Sequence, residues 1–94
     1  SDVGMRVVCR SLGASLTRHE VVLDKFINEH GSGPKSGLWM DPHDRPIACQ
    51  LMGRDPVEMG QAAARMASFG YDIVDINFGC PVKKVLGRCR GGFL

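Results

Sequence analysis

The chain is predicted to fold as a parallel α/β unit, and three observations predict it. The run Ile47-Ala48-Cys49-Gln50-Leu51-Met52 is apolar apart from Gln50, which is how a strand buried on both faces of a parallel sheet reads. A helix signal at Asp55-Pro56 and a second apolar run ending at Ile76 complete a strand-helix-strand unit. Strand and helix signals also precede that unit, so the pattern repeats at roughly 25 to 30 residues, as in doubly wound and barrel folds alike. The 94 residues are too few for a complete TIM barrel of the usual ~200 or more.

Each element has a local cause. Asp2 can cap a helix over Val3 to Leu12, whose Val7, Val8 and Leu12 recur at helical spacing and are expected to bury one side, with Gly13 as a left-handed stop. Ala14 to Thr17 and then Val21-Val22-Leu23 read as a strand leading into a short helix through Phe26 and Ile27 that ends at Gly31. Gly31 to Pro46 holds three glycines and three prolines with Asp41, His43 and Asp44, the composition of a surface excursion in which only Leu38-Trp39-Met40 could pack. After the strand Ile47–Met52, Asp55 is placed as cap, Pro56 at the first helical position and Glu58 to complete a capping box. Met59, Ala62, Ala63, Met66 and Ala67 then form an apolar stripe up to Phe69, and Gly70 ends the helix before a strand over Tyr71 to Ile76.

Composition bounds the function. With 44% hydrophobic and 23% charged residues the chain is too apolar for disorder, and it has no unbroken apolar run of membrane-spanning length. The area scaling for this size predicts that about 64% of the extended-chain surface is buried, enough for one core. Net charge is only +2, yet Lys83, Lys84, Arg88 and Arg90 fall together and no acidic residue lies beyond Asp75. Cys9, Cys49, Cys80 and Cys89 include no C-x-x-C pair, so neither a zinc knuckle nor a dense disulfide framework is indicated and a reducing, cytoplasmic setting fits. The chain begins without methionine or a signal sequence and reads as a segment of a longer protein.

In either parallel architecture ligands are held at the carboxyl ends of the strands, which draws attention to Gln50 and to the residues just past Ile76. Asn77-Phe78-Gly79-Cys80-Pro81 would display an amide and a thiol three residues apart at that mouth. A free cysteine thiol titrates near ~8.5 and is mostly protonated at neutral pH, so it can donate a proton; nucleophilic work would need that value lowered. A buried cysteine packing as a small hydrophobe is the structural alternative. His43 between Asp41 and Asp44 reads as an exposed turn rather than a metal site, and His19 and His30 share no ligand spacing with it, so no metal is expected. Glu20 reads equally as a carboxylate facing the sheet mouth or a structural one. Gly87, Gly91 and Gly92 fit neither nucleotide-binding fingerprint.

Three stretches together carry a family resemblance: Pro46-Ile47-Ala48-Cys49-Gln50-Leu51-Met52-Gly53, Asp55-Pro56, and Asp72 through Val85 with its core Asn77-Phe78-Gly79-Cys80-Pro81-Val82-Lys83-Lys84-Val85. The chain resembles the tRNA-dihydrouridine synthase family, flavoenzymes that reduce selected uridines in tRNA. Ser1 to Arg6 and His19-Glu20-Val21-Val22 match more loosely. Related flavin barrels such as dihydroorotate dehydrogenases tend to carry a Ser-Cys-Pro-Asn form instead.

The resemblance implies a partial TIM (β/α)8 barrel, roughly strands 2 to 4 with their helices, so that residues 1–94 form an incomplete FMN-binding domain lacking the first and the later strands. It implies FMN reduced by NADPH or NADH and reduction of uridine to 5,6-dihydrouridine. Cys80 would be the proton donor, Gln50 a flavin contact and Asn77 a contact to the uracil. Lys83 and Lys84, with the arginines beyond them, would hold tRNA phosphates while the base is flipped out. A lysine and a histidine of later strands and a helical RNA-binding domain would lie outside the chain, so the segment alone is expected to be inactive, to hold flavin poorly and to self-associate through exposed apolar edges. The competing readings are another FMN barrel acting on a free pyrimidine and a small non-catalytic RNA-binding α/β module.

Overall fold

A computed structural model describes residues 2–30 and 41–94. Helix α1 (Val3–Ser11) is followed by strand β1 (Thr17–Leu23), helix α2 (Asp24–His30), strand β2 (Ile47–Met52), helix α3 (Pro56–Phe69), strand β3 (Ile73–Ile76), a one-turn helix α4 (Lys83–Leu86) and a terminal 3₁₀ turn (Gly91–Phe93). The three strands form one parallel sheet in sequential order with β2 central. The parallel α/β reading therefore holds. Leu38-Trp39-Met40 lies outside the described residues.

The central strand explains the core. Alternation sends Ile47, Cys49 and Leu51 to one face, where they meet Ile27 of α2, Ala62 and Met66 of α3, and Tyr71, all at most 6% exposed. Both crossover helices share that cluster, and Asn28 of α2 donates from Nδ2 to the Glu58 carbonyl of α3. Ala67, expected in the apolar stripe of α3, is exposed. The opposite face presents Arg18, Ala48, Gln50, Ile73 and Asp75, and most of these line an open hollow of about 320 Å³.

Helix ends follow their caps. The Asp2 carboxylate accepts from Met5 N at 2.8 Å, and Asp55 accepts from Val57 N and Glu58 N, both at 3.4 Å. Gly70 ends α3 with φ 118°, a left-handed geometry that glycine adopts without a Cβ penalty.

Three expectations are corrected. Helix α1 buries Arg6 rather than an apolar stripe: Val7, Val8 and Leu12 are exposed. Arg6 Nε donates to Asp44 Oδ2 at 2.8 Å, and Thr17 Oγ and Arg10 Nη2 donate to Asp44 Oδ1, so a buried carboxylate from the excursion, not apolar contact, ties α1 to the sheet. Asp44 is therefore no exposed turn residue, although His43 beside it is. The last strand begins at Ile73, two residues later than the sequence suggests. Asp72 N donates to the Ile47 carbonyl at 3.0 Å while its Oδ2 accepts the Ile47 N–H at 2.9 Å and its Oδ1 accepts from Arg45, so a side chain stands in for one backbone carbonyl at the start of the ladder.

Candidate functional site

The register of the sheet builds the site. Gln50 of β2 pairs directly with Asp75 of β3, so both side chains stand on the same face near the carboxyl ends of their strands. Gln50 Nε2 donates to Asp75 Oδ2 at 2.8 Å, and Arg18 Nη1 of β1 donates to the same oxygen at 2.6 Å. One residue beyond β3, Asn77 Nδ2 donates to Gln50 Oε1 at 3.2 Å, while its Oδ1 accepts from Gly79 N at 2.9 Å and Cys80 N at 3.0 Å. A single hydrogen-bonded chain thus runs from Arg18 through Asp75, Gln50 and Asn77 to the backbone of Cys80.

This chain sets orientations as well as positions. With Nε2 committed to a carboxylate, the Gln50 amide must turn Oε1 toward Asn77, and that fixes which end of the Asn77 amide faces the loop. The Asp75 carboxyl is held below the usual carboxylate range, first by the Gln50 hydrogen bond and further by Arg18, against the opposing effect of its partial burial.

Cys80 is held from both sides. Its amide is fixed by Asn77, and its carbonyl accepts from Gly92 N at 2.9 Å, which folds the terminal turn beneath it. Gly91 has φ 59°, and a Cβ there would lie 2.9 Å from Cys80 Cβ, Cys80 O and a Val85 methyl, so glycine is required for that close approach. The thiol is half-buried and free. Cys49, by contrast, is 0% exposed in the core, and desolvation pushes its thiol up to about 11, which makes it inert.

The sequence-predicted residues Gln50, Asn77 and Cys80 are therefore brought together. The two lysines are separated by role of position: both are exposed on α4, but Lys84 lines a cleft with Leu23, Met52, Val85, Arg88 and Arg90, whereas Lys83 does not. Asp75 and Arg18 were missed by sequence reading; the signal that could have found Asp75 is its in-register placement opposite Gln50. His19 was read from the sequence only as sharing no ligand spacing with His43 and as part of a looser family match. It is buried edge-on against Tyr71, with ring centroids 5.0 Å apart, its Nδ1 bonded to the Glu20 carbonyl and its Nε2 without a partner. Among the described residues no three His, Cys, Asp or Glu side chains gather as a ligand set for a metal ion. No described helix is long and apolar enough to cross a membrane.

The structure thus places side-chain amides and a thiol at the carboxyl ends of adjacent parallel strands of an α/β unit, the end at which parallel folds hold their ligands. Comparison with known proteins narrows the class: residues 1–94 match the family model described as dihydrouridine synthase (Dus). The chain belongs to the dihydrouridine synthase family. It is 35% identical over 94 residues to tRNA-dihydrouridine synthase B of Pseudomonas aeruginosa, covering all of this chain and 28% of that protein. It is 38% identical over 96 residues to the proteins of the same name from Pectobacterium carotovorum and Salmonella typhimurium, covering all of this chain and 29% of each. The chain thus spans less than a third of the length of these relatives.

Proposed function

We propose that this chain serves the flavin-dependent reduction of uridine to 5,6-dihydrouridine in tRNA, with Cys80 as the acid. The observation that carries the reading is the half-buried Cys80 thiol, held at the carboxyl end of β3 and joined through Asn77 to Gln50. Family membership supports the same activity. The sequential order of parallel strands, with both crossover helices on one face, supports strands 2 to 4 of a (β/α)8 barrel. A cytoplasmic setting is part of this reading, as tRNA modification requires access to tRNA.

The residues present fit a flavin. An amide offers two N–H donors and two carbonyl lone pairs; Asp75 takes one donor of Gln50 and Asn77 one lone pair, which leaves one of each for the polar edge of a heterocycle. FMN, reduced by NADPH or NADH, supplies hydride to one carbon of the uracil double bond when bound. The adjacent carbon then needs a proton, and Cys80 delivers it from its thiol, leaving a thiolate that water re-protonates. Asn77 fixes the loop that aims Cys80 and stands beside the uracil. Lys83 and Lys84 hold phosphates of the tRNA backbone.

The test uses the protein as its gene encodes it. Cys80→Ala is expected to retain bound flavin and its reduction by NADPH while dihydrouridine formation falls at least about 100-fold, the usual worth of a positioned acid. Dihydrouridine formation near the wild-type rate would remove Cys80 from this role.

A further inference from the structure

Two opposite charges stand on a sheet face where parallel folds usually carry aliphatic side chains. Arg18 of β1 and Asp75 of β3 both line the open hollow opposite the core, and aspartate is among the residues that strands disfavour. Their ion pair reaches across the central strand, Arg18 Nη1 lying 2.6 Å from Asp75 Oδ2. It contributes little stability, because side chains 54% and 36% exposed are screened by water. Its effect is directional instead. The oxygen that takes Arg18 also takes Gln50 Nε2 at 2.8 Å, and a carboxylate can only accept, so Asp75 distinguishes the two nearly isosteric ends of the Gln50 amide. Asn77 makes the same selection from the other side through a neutral contact of 3.2 Å, the weaker of the two.

We infer that Asp75 is a positioning residue for the flavin contact, with Arg18 holding its carboxylate: together they lock the Gln50 amide so that its remaining N–H and lone pair meet the heterocycle in one arrangement only. This inference rests on the reading of Gln50 as a flavin contact, and both charges act through that side chain. A flipped amide would set a donor where an acceptor is needed and an acceptor where a donor is needed, so two hydrogen bonds to the ring would be lost together. Arg18 supplies alignment, since its Nη1 keeps Oδ2 turned toward β1 and β2, and it adds to the Gln50 hydrogen bond in keeping the carboxyl ionised.

The experiment uses the protein as its gene encodes it. In the flavin-free protein, NMR of the Gln50 side-chain amide reads the lock directly: one Nε2 proton should exchange slowly in the wild type and in Asp75→Asn, which keeps an acceptor oxygen, and both should exchange fast in Asp75→Leu. FMN affinity, followed by quenching of flavin fluorescence, should fall about tenfold in Asp75→Leu, the worth of a hydrogen bond to a charged group. It should fall about threefold in Arg18→Met, as suits an exposed ion pair, and no more than that in Asp75→Asn. The deciding result is a double-mutant cycle, in which Asp75→Leu has no further effect on FMN affinity once Gln50→Ala is present. Equal weakening by Asp75→Leu with and without Gln50 would overturn the inference, as would a slow Gln50 proton that survives in Asp75→Leu. Should Asp75→Leu fail to fold, the same cycle with Arg18→Met decides, because that side chain is largely exposed. Dihydrouridine formation is followed in parallel. A wild type whose Asp75 is coupled to flavin through Gln50 yet makes no dihydrouridine sinks the proposed activity and leaves the positioning pair standing. Dihydrouridine formation with an additive cycle does the reverse.

Discussion

Asn77 offers the most direct check on how the loop is held, because its two ends do different things. Asn77→Ala removes three hydrogen bonds: two accepted from Gly79 N and Cys80 N and one donated to Gln50. Each is worth about 0.5–1.5 kcal/mol when fully sheltered, and the exposure of Gly79 lets water replace part of that, so about 2 kcal/mol is expected for the loop. At 1.4 kcal/mol per tenfold, this raises the open population roughly 25-fold. Amide hydrogen exchange reads it residue by residue: Gly79 and Cys80 should lose protection by about that factor while the amides of β2 keep theirs. Asn77→Asp keeps both acceptors and loses only the donor, leaving two oxygens facing each other at the Gln50 contact. It should preserve protection at Gly79 and Cys80 and disturb Gln50 instead. If Asn77→Ala leaves both amides as protected as in the wild type, the loop is held by something other than this side chain.

Two further predictions concern the frame around the site. Gly53→Ala would place a Cβ 2.1 Å from Asp24 Oδ2 and 2.6 Å from Met59 Sδ, and since Asp24 is buried the cost is about 2–4 kcal/mol, visible as a lower urea midpoint with an unchanged slope. Stability should also fall on acidification in two stages. Burial holds the His19 imidazole below its ordinary 6.5, so the unfolded chain binds the proton first and stability is lost as the pH drops beneath about 6.5, by at most about 1.4 kcal/mol per pH unit. Burial would raise the Asp44 carboxyl, but hydrogen bonds from Thr17, Arg6 and Arg10 outweigh it and hold the group below its usual 3.8, so its contribution disappears only at lower pH still. His19→Gln should abolish the first stage and keep the second; a first stage that survives the substitution would assign it to another group.

The elements most legible in the sequence were those whose causes are local. Asp55-Pro56 and Gly70 bound α3 within the same few residues that encode it, and the run of β2, apolar apart from Gln50, announces burial on both faces. Cys80, Gln50 and Asn77 were readable because strand ends are where parallel sheets place their chemistry. The role of Arg6 was not readable: its partner Asp44 is 38 residues away, and a helix carrying Val7, Val8 and Leu12 gives no sign that its buried residue is a cation.

From the sequence alone came the order of strands and helices, the caps, and the thiol and amides at the sheet mouth, because each depends on neighbours within a turn or on alternation along one strand. Tertiary structure alone decided that Asp75 faces Gln50, that Asn77 spends both ends of its amide on the site, and that Arg90 is buried. Those facts depend on register between separate strands and on how the terminal turn closes under Cys80, distances that no spacing along the chain can encode.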